Sequence, residues 1–286
     1  MVGKTETPTE RPKPELRWFQ FSLRTLLAVV TLCAIPCSWL SVKMRQAERQ
    51  REAATAIEKL GGYVEWDNRA VVWQEWVEKL LEADIFNSVP GVDLSRCQVP
   101  DAGLEHLKGL SQLRWLMLND TQVTDAGLEH LNGLSELQRL ELGGTQVTGA
   151  GLEHLKGLRE LRRLGLNRTQ VTGAGLEHLK GLSQLQWLSL GGTQVTDAGL
   201  EHLNGLSQLQ WLSLDDTQVT NAGLERLKGL RQLQGLGLDN TQVTDSGLEH
   251  LKGLTQLQQL LLNRTKVTSK GVKKLQQALP KCKILH

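Results

Sequence analysis

Residues 185–205 read LQWLSLGGTQVTDAGLEHLNG, and two different periodicities meet inside that one stretch. Up to Leu190 the apolar residues alternate, which is the pattern of a strand with one face buried. After Thr196 they recur every three to four residues, which is the pattern of a short helix with one face buried. Gly191 and Gly192 stand between the two, where a chain must turn. The unit is therefore strand, turn and helix, written L-x-x-L-x-L-x-x-T-x-V followed by T-D-A-G-L-x-x-L.

Aligning on Thr121 returns the same frame at Thr145, Thr169, Thr193, Thr217, Thr241 and Thr265, each 24 residues on, and one step backwards lands on Cys97. Eight turns in one register override the expectation of one or two globular domains for 286 residues, because a repeat array grows in one dimension. No single unit can bury its leucines alone. Stacking gives each strand a hydrogen-bonded neighbour and covers both flanks of every leucine layer.

The pattern resembles the leucine-rich-repeat signature, L-x-x-L-x-L-x-x-(N/C)-x-L, with Thr where Asn or Cys is usual and Cys97 matching the usual residue. The resemblance covers residues 92–286. It implies an α/β solenoid with short parallel strands on a concave face and short helices on a convex one, and a protein partner for that concave face. The wider layout resembles bacterial single-pass, membrane-anchored leucine-rich-repeat proteins: a basic and apolar head, an Ala/Glu/Arg stalk ending in Leu-Gly-Gly, then T-x-V-T-D-A-G-L units.

Working outward from the array, residues 269–286 form a C-terminal cap and 92–268 the repeats. Residues 63–91 form an N-terminal cap. Within it, Tyr63 to Asp67 reads as a strand, and Trp73, Trp76, Val77 and Leu80 share a face that lids the first repeat. Residues 43–62 read as a juxtamembrane stalk helix stopped by Gly61-Gly62, where left-handed backbone is needed. Residues 25–42, TLLAVVTLCAIPCSWLSV, carry no charge and as a helix span roughly 27 Å, close to a bilayer core. Arg24 and Lys43 bracket this segment, with Trp18, Phe19 and Phe21 on one side and Trp39 near the other. A retained transmembrane helix fits better than a cleaved signal peptide, since the polar region before it is long and no small-residue cleavage site follows. Basic residues flank both ends, so they do not fix which side carries the repeats. Residues 1–24 are polar and basic with three prolines and read as disordered.

The net charge of +2 conceals a segmental pattern, ending in seven basic residues and no acid from Arg264 onward. A solenoid needs a polar terminal cap, and Lys270, Lys273 and Lys274 read as its solvated helix face rather than as a nucleic-acid site. The four cysteines, Cys33, Cys37, Cys97 and Cys282, show neither disulfide nor zinc spacing.

Catalytic motifs are absent from the sequence: there is no H-E-x-x-H, no G-x-S-x-G and no phosphate-cradling loop. A histidine column at His106, His130, His154, His178, His202 and His250, broken by Arg226, looks like a metal ladder. Each member comes from the same duplicated E-H-L, however, and both Glu and His are expected to face solvent. The threonine column offers hydroxyls but no base beside them, so its expected duty is to bond turn backbone. Asp125 and Asp197 are expected to cap the helical turns that follow them, as are Asn221 and Ser246. The sequons at Asn119, Asn167 and Asn263 fall out of the repeat frame. No enzyme, metal or cofactor is expected.

Between the inward leucines the frame varies. One outward column reads Trp115, Arg139, Arg163, Trp187, Trp211, Gly235 and Gln259, and the next reads Met117, Glu141, Gly165, Ser189, Ser213, Gly237 and Leu261. Exposed Trp and Arg dominate binding hot spots, which makes Trp115, Arg139, Arg163, Trp187 and Trp211 the candidate recognition strip. The competing reading has Trp187 and Trp211 merely stacking across strands. The expected function is a membrane-anchored protein that binds a protein partner through its concave face. An architectural spacer of the cell envelope, or a metal-dependent activity of the His/Glu columns, are the alternatives.

Overall fold

In a computed structural model of the chain, backbone is described for residues 23–67 and 87–286, and side chains for residues 34, 38–67 and 87–286. The lid at Trp73 to Leu81 and nearly all of the head lie outside the described residues. The chain divides into two units, Met1–Lys43 and Met44–His286.

One helix, Leu23–Lys59, contains the apolar stretch 25–42, most of whose side chains lie outside the described residues. Among the described residues no helix is long and apolar enough to cross a membrane.

The second unit is built on a ten-stranded sheet whose strands follow one another in chain order. Strand β1 (Tyr63–Asp67) runs antiparallel to β2 (Ser88–Asp93). The next seven are β3 (Trp115–Met117), β4 (Arg139–Glu141), β5 (Arg163–Gly165), β6 (Trp187–Ser189), β7 (Trp211–Ser213), β8 (Gly235–Gly237) and β9 (Gln259–Leu261), and β10 (Lys283–Leu285) ends the sheet. From β2 to β10 all neighbours are parallel, and from β2 to β9 each residue pairs with the one 24 positions on. Only the central residue of each three-residue strand faces the core, because successive side chains alternate.

Each unit from β3 to β8 buries the same seven apolar side chains. In the quoted repeat these are Leu185, Leu188, Leu190, Val195, Leu200, Leu203 and Leu206, all with no exposed surface. The helical segments vary in type, from a 3-10 turn at Ala174–Leu179 to an α-helical turn at Asn221–Arg226. A glycine in the middle of each A-G-L or S-G-L triplet weakens helix propensity, so the segment's length and winding are set by packing.

Every ladder threonine, Thr121 through Thr265, donates its hydroxyl to the carbonyl three residues earlier, at 2.6–2.8 Å. Six of the seven are buried, so the bond satisfies a hydroxyl and a turn carbonyl that both lack water. Cys97 differs in its partner: its thiol points to the Gly61 carbonyl at 3.3 Å. The residue just before the ladder position is left-handed in all eight turns: Arg96, Asp120, Gly144, Arg168, Gly192, Asp216, Asn240 and Arg264 have φ between 55° and 70°.

The capping expected of Asp125 and Asp197 is corrected. The carboxylate of Asp125 accepts from the N–H of Thr148 at 2.7 Å and from its hydroxyl at 2.6 Å, one repeat further on. Asp101, Asp197 and Asp245 hold Thr124, Thr220 and Thr268 in the same two-pronged way. Capping falls instead to threonine, with Thr124 and Thr220 accepting from Ala126 and Ala222. The aspartates are clamps between repeats. Where glycine replaces aspartate, at Gly149 and Gly173, the backbones close up instead: a Cβ at either position would stand 2.9 Å from the Cα of Gly175 or Gly199.

Within the second unit, the turns from Met44 to Lys59 lie on the first repeat rather than standing free as a stalk. Ala53, Ala54 and Ile57 belong to the array's continuous core, and Gly61, at φ 85°, ends the helix. At the other end the helix Ser269–Ala278 buries Gly271 and Leu275 and leaves Lys270, Lys273 and Lys274 exposed.

Candidate functional site

Parallel register places Trp115, Arg139, Arg163, Trp187 and Trp211 on consecutive strands, in one column of the sheet's outward face. All five are half-buried. Each is held by a neighbour on that face.

Glu141 organises the centre. Its carboxylate, on the adjacent outward column, is 6% exposed, and one of its oxygens, Oε1, accepts from Nε of Arg139 at 3.0 Å and Nε of Arg163 at 2.8 Å. Arg163 also stacks its guanidinium on the Trp187 ring, 3.8 Å from the centroid. Such a stack adds on the order of 0.5–1 kcal/mol at a partly exposed site. The two guanidinium side chains remain about two-fifths exposed, at 40% each.

Glycine provides the other support. A side chain at Gly91 would collide with the Trp115 indole, one at Gly165 with the Glu141 carboxylate, and one at Gly235 with the Trp211 indole. Trp115, Glu141 and Trp211 thus each lie over a glycine on an adjacent strand. Trp115 is further fixed by its Nε1, which donates to Glu65 Oε2 of β1 at 2.8 Å. Strand β8 carries glycine at both outward positions, and the second, Gly237, lies under the carboxylate of Asp215, whose oxygens stand 2.7 and 2.8 Å from a Cβ built there. Sequence reasoning placed Glu141 in an outward column but missed its role. The signal was present, since a 24-residue register sets Glu141 diagonally between Arg139 and Arg163.

The histidine column divides differently from expectation. The glutamates are exposed, but His130, His154, His178, His202 and His250 are half-buried. His178 Nδ1 is buried without a hydrogen-bond partner among the described residues. No group of His, Cys, Asp or Glu among the described residues is placed to hold a metal ion. Burial pushes the Cys282 thiol up to about 11, which leaves it unreactive at neutral pH. The sequons are engaged in the frame: Asn119 Oδ1 accepts from the Gly143 N–H at 2.9 Å, and Thr121, two residues on, is buried.

A family model described as leucine rich repeat matches residues 159–219. Internalin C2 of Listeria monocytogenes, a solved structure, is 28% identical with a TM-score of 0.56, covering 69% of this chain and 81% of that one. A leucine-rich-repeat protein of Leptospira interrogans is 23% identical with a TM-score of 0.49, covering 66% of this chain and 52% of that one. No curated protein matches. The stacked strand-and-helix units define a repeat solenoid of the leucine-rich-repeat kind. Proteins of this class generally mediate protein–protein interaction.

Proposed function

We propose that this protein is a membrane-anchored, non-enzymatic interaction protein whose concave, strand-lined face binds a protein partner through Trp115, Arg139, Arg163, Trp187 and Trp211. The observation that carries the reading is the preordering of that strip. Its tryptophans and arginines are held on five adjacent strands by Glu141 and by glycine beds, so little side-chain freedom is lost when a partner seats. The Trp and Arg content is what binding hot spots are made of.

Alanine at the five positions, scored against alanine at five exposed convex residues, tests the strip by partner capture from a native extract. Equal capture by the two sets would refute it. The anchor rests on the uncharged run 25–42. Alkaline-carbonate extraction of membranes tests it: a chain recovered in the soluble fraction would remove the anchor. Protease treatment of intact and lysed cells then reads which side carries the repeats.

A second reading, an envelope spacer without a specific ligand, is favoured by one observation: every strip residue already has a partner within the protein. It predicts that deleting whole 24-residue units matters more than changing strip side chains.

A further inference from the structure

The proposed face is not uniform in charge or height, and its two ends differ. At β4 and β5 two guanidiniums meet a single carboxylate, leaving an excess positive charge. Both arginines spend the Nε edge on Glu141, and among the described residues no terminal amino group of either is bonded to protein. On the second outward column, between the Glu141 carboxylate over Gly165 and the Asp215 carboxylate over Gly237, Ser189 and Ser213 carry only hydroxymethyl groups, so beside Trp187 and Trp211 lies a shallow trough two strands wide, roughly 5 Å from strand to strand. At its far end Asp215 brings negative charge over Gly237.

Resting on the reading of this face as a binding surface, we infer that its ligand is an extended acidic protein segment, with a carboxylate bridging Arg139 and Arg163 and an adjoining apolar side chain in the trough against Trp187 and Trp211. Charge complementarity selects the carboxylate. Glu141 shows that the pair already donates to one carboxylate, at 3.0 and 2.8 Å through Nε, leaving the outer edges for a second. The fork geometry of arginine favours bidentate acceptors over a point charge. Asp215 sets the polarity: the acidic end of the segment lies over β4 and β5, and acidic residues at β7 and β8 are repelled.

The test uses the full-length chain in mild detergent and three synthetic peptides of equal length. The first alternates acidic with leucine and phenylalanine residues, the second replaces the acids by their amides, and the third replaces them by lysine. Affinities are read by fluorescence anisotropy, and a melting curve shows that each variant is folded. The acidic peptide is expected to bind at least about tenfold more tightly than its amide twin, and to lose about tenfold on Arg139→Gln or Arg163→Gln, the size of one charge-assisted hydrogen bond. Arg231→Gln, an exposed arginine outside both outward columns, is expected to change nothing. Equal binding of acid and amide peptides, indifference to both arginine variants, or no affinity for the acidic peptide would each overturn the inference. If peptides of every charge lose binding on Trp187→Ala while ignoring the arginines, the face stands and only the carboxylate falls. If binding ignores every strip residue, both readings fall.

Discussion

The array's integrity hangs on glycines whose importance differs sharply, and Gly175 and Gly181, six residues apart, isolate the cause. A Cβ on Gly175 would overlap the Cα of Gly149 and stand 3.1 Å from that residue's carbonyl carbon and oxygen. The obstacle is backbone, in the turn that leads into the segment Gly151–Leu155, so it cannot rotate away as a side chain would. Overpacking of this kind costs about 1–3 kcal/mol. A Cβ on Gly181 meets nothing within 4 Å, and its backbone is not left-handed, so alanine there is expected to gain about 0.4–1 kcal/mol by restricting the unfolded chain. Urea unfolding of the full-length chain in detergent, followed by tryptophan emission, measures both. Gly175→Ala should lower the midpoint and also broaden the transition, because repeat proteins unfold as nearest-neighbour chains and a weakened central interface uncouples the halves. Gly181→Ala should raise the midpoint with an unchanged slope. If the two variants shift the midpoint alike, close approach between Gly149 and Gly175 is not what the glycine is for.

Four further outcomes follow from the same geometry. Glu141→Gln should destabilise by about 1–2 kcal/mol in thermal melting, since the buried carboxylate has lost its charge under two half-exposed arginines; an unchanged Tm would mean the cluster is spectator chemistry. His178→Leu should stabilise by about 1 kcal/mol by removing a buried, unpartnered ring nitrogen, and a lower Tm would contradict this. Arg168→Asn should gain a few tenths of a kcal/mol or more, on the order of the left-handed penalty that Asn bears more easily, at φ 56°. Bonds from the Thr268 backbone and hydroxyl hold the Asp245 carboxyl below its usual value of 3.8. Because the folded pKa is depressed, the clamp's contribution is fully present above the unfolded value and is lost as pH falls through the folded one. Protection of the Thr268 amide, taken relative to its intrinsic exchange rate at each pH, should therefore hold at pH 5 and fall only as pH drops below about 3.8. Asp245→Asn should keep most of the protection at every pH, as Asn221 already performs this task for Thr244 with bonds of 2.9 Å.

The frame was legible because its signal is one-dimensional. Leucine spacing gives the strand and the helix, and eight returns of Thr or Cys give the register. What escaped was whatever depends on two repeats at once. Asp125 was read with the local grammar of helix caps, whereas its partner Thr148 is 23 residues away and becomes a neighbour only when turns stack. The left-handed position was hinted at by Asp120, Gly144, Gly192, Asp216 and Asn240 but concealed by Arg96, Arg168 and Arg264, which no propensity places there. The turns from Met44 to Lys59 read as a stalk helix because their composition is Ala, Glu, Gln and Arg. Their buried stripe, Ala47, Gln50, Ala53, Ala54 and Ile57, has helical spacing but small or polar members, so it carries little hydropathy. The strip itself was read from its residue types. Its internal pairing was not, because a glycine in an outward column reads as the absence of a side chain rather than as the bed for one.

That pairing decides how the strip must be interrogated. Truncating Trp211 exposes Gly235 and removes packing as well as any contact with a partner, so a loss of binding on Trp211→Ala mixes two effects. The bed gives a cleaner handle. Gly235→Ser keeps the indole but fills the space beneath it, lifting the ring away from the sheet. If Trp211 binds a partner in its present seat, Gly235→Ser should weaken binding nearly as much as truncation, even where melting shows the fold intact. If the ring serves only to cover the glycine, Gly235→Ser should lower the melting temperature and leave binding untouched. The same logic applies to Gly91 beneath Trp115 and Gly165 beside Glu141, so the pattern that makes the face rigid also supplies substitutions that separate rigidity from recognition.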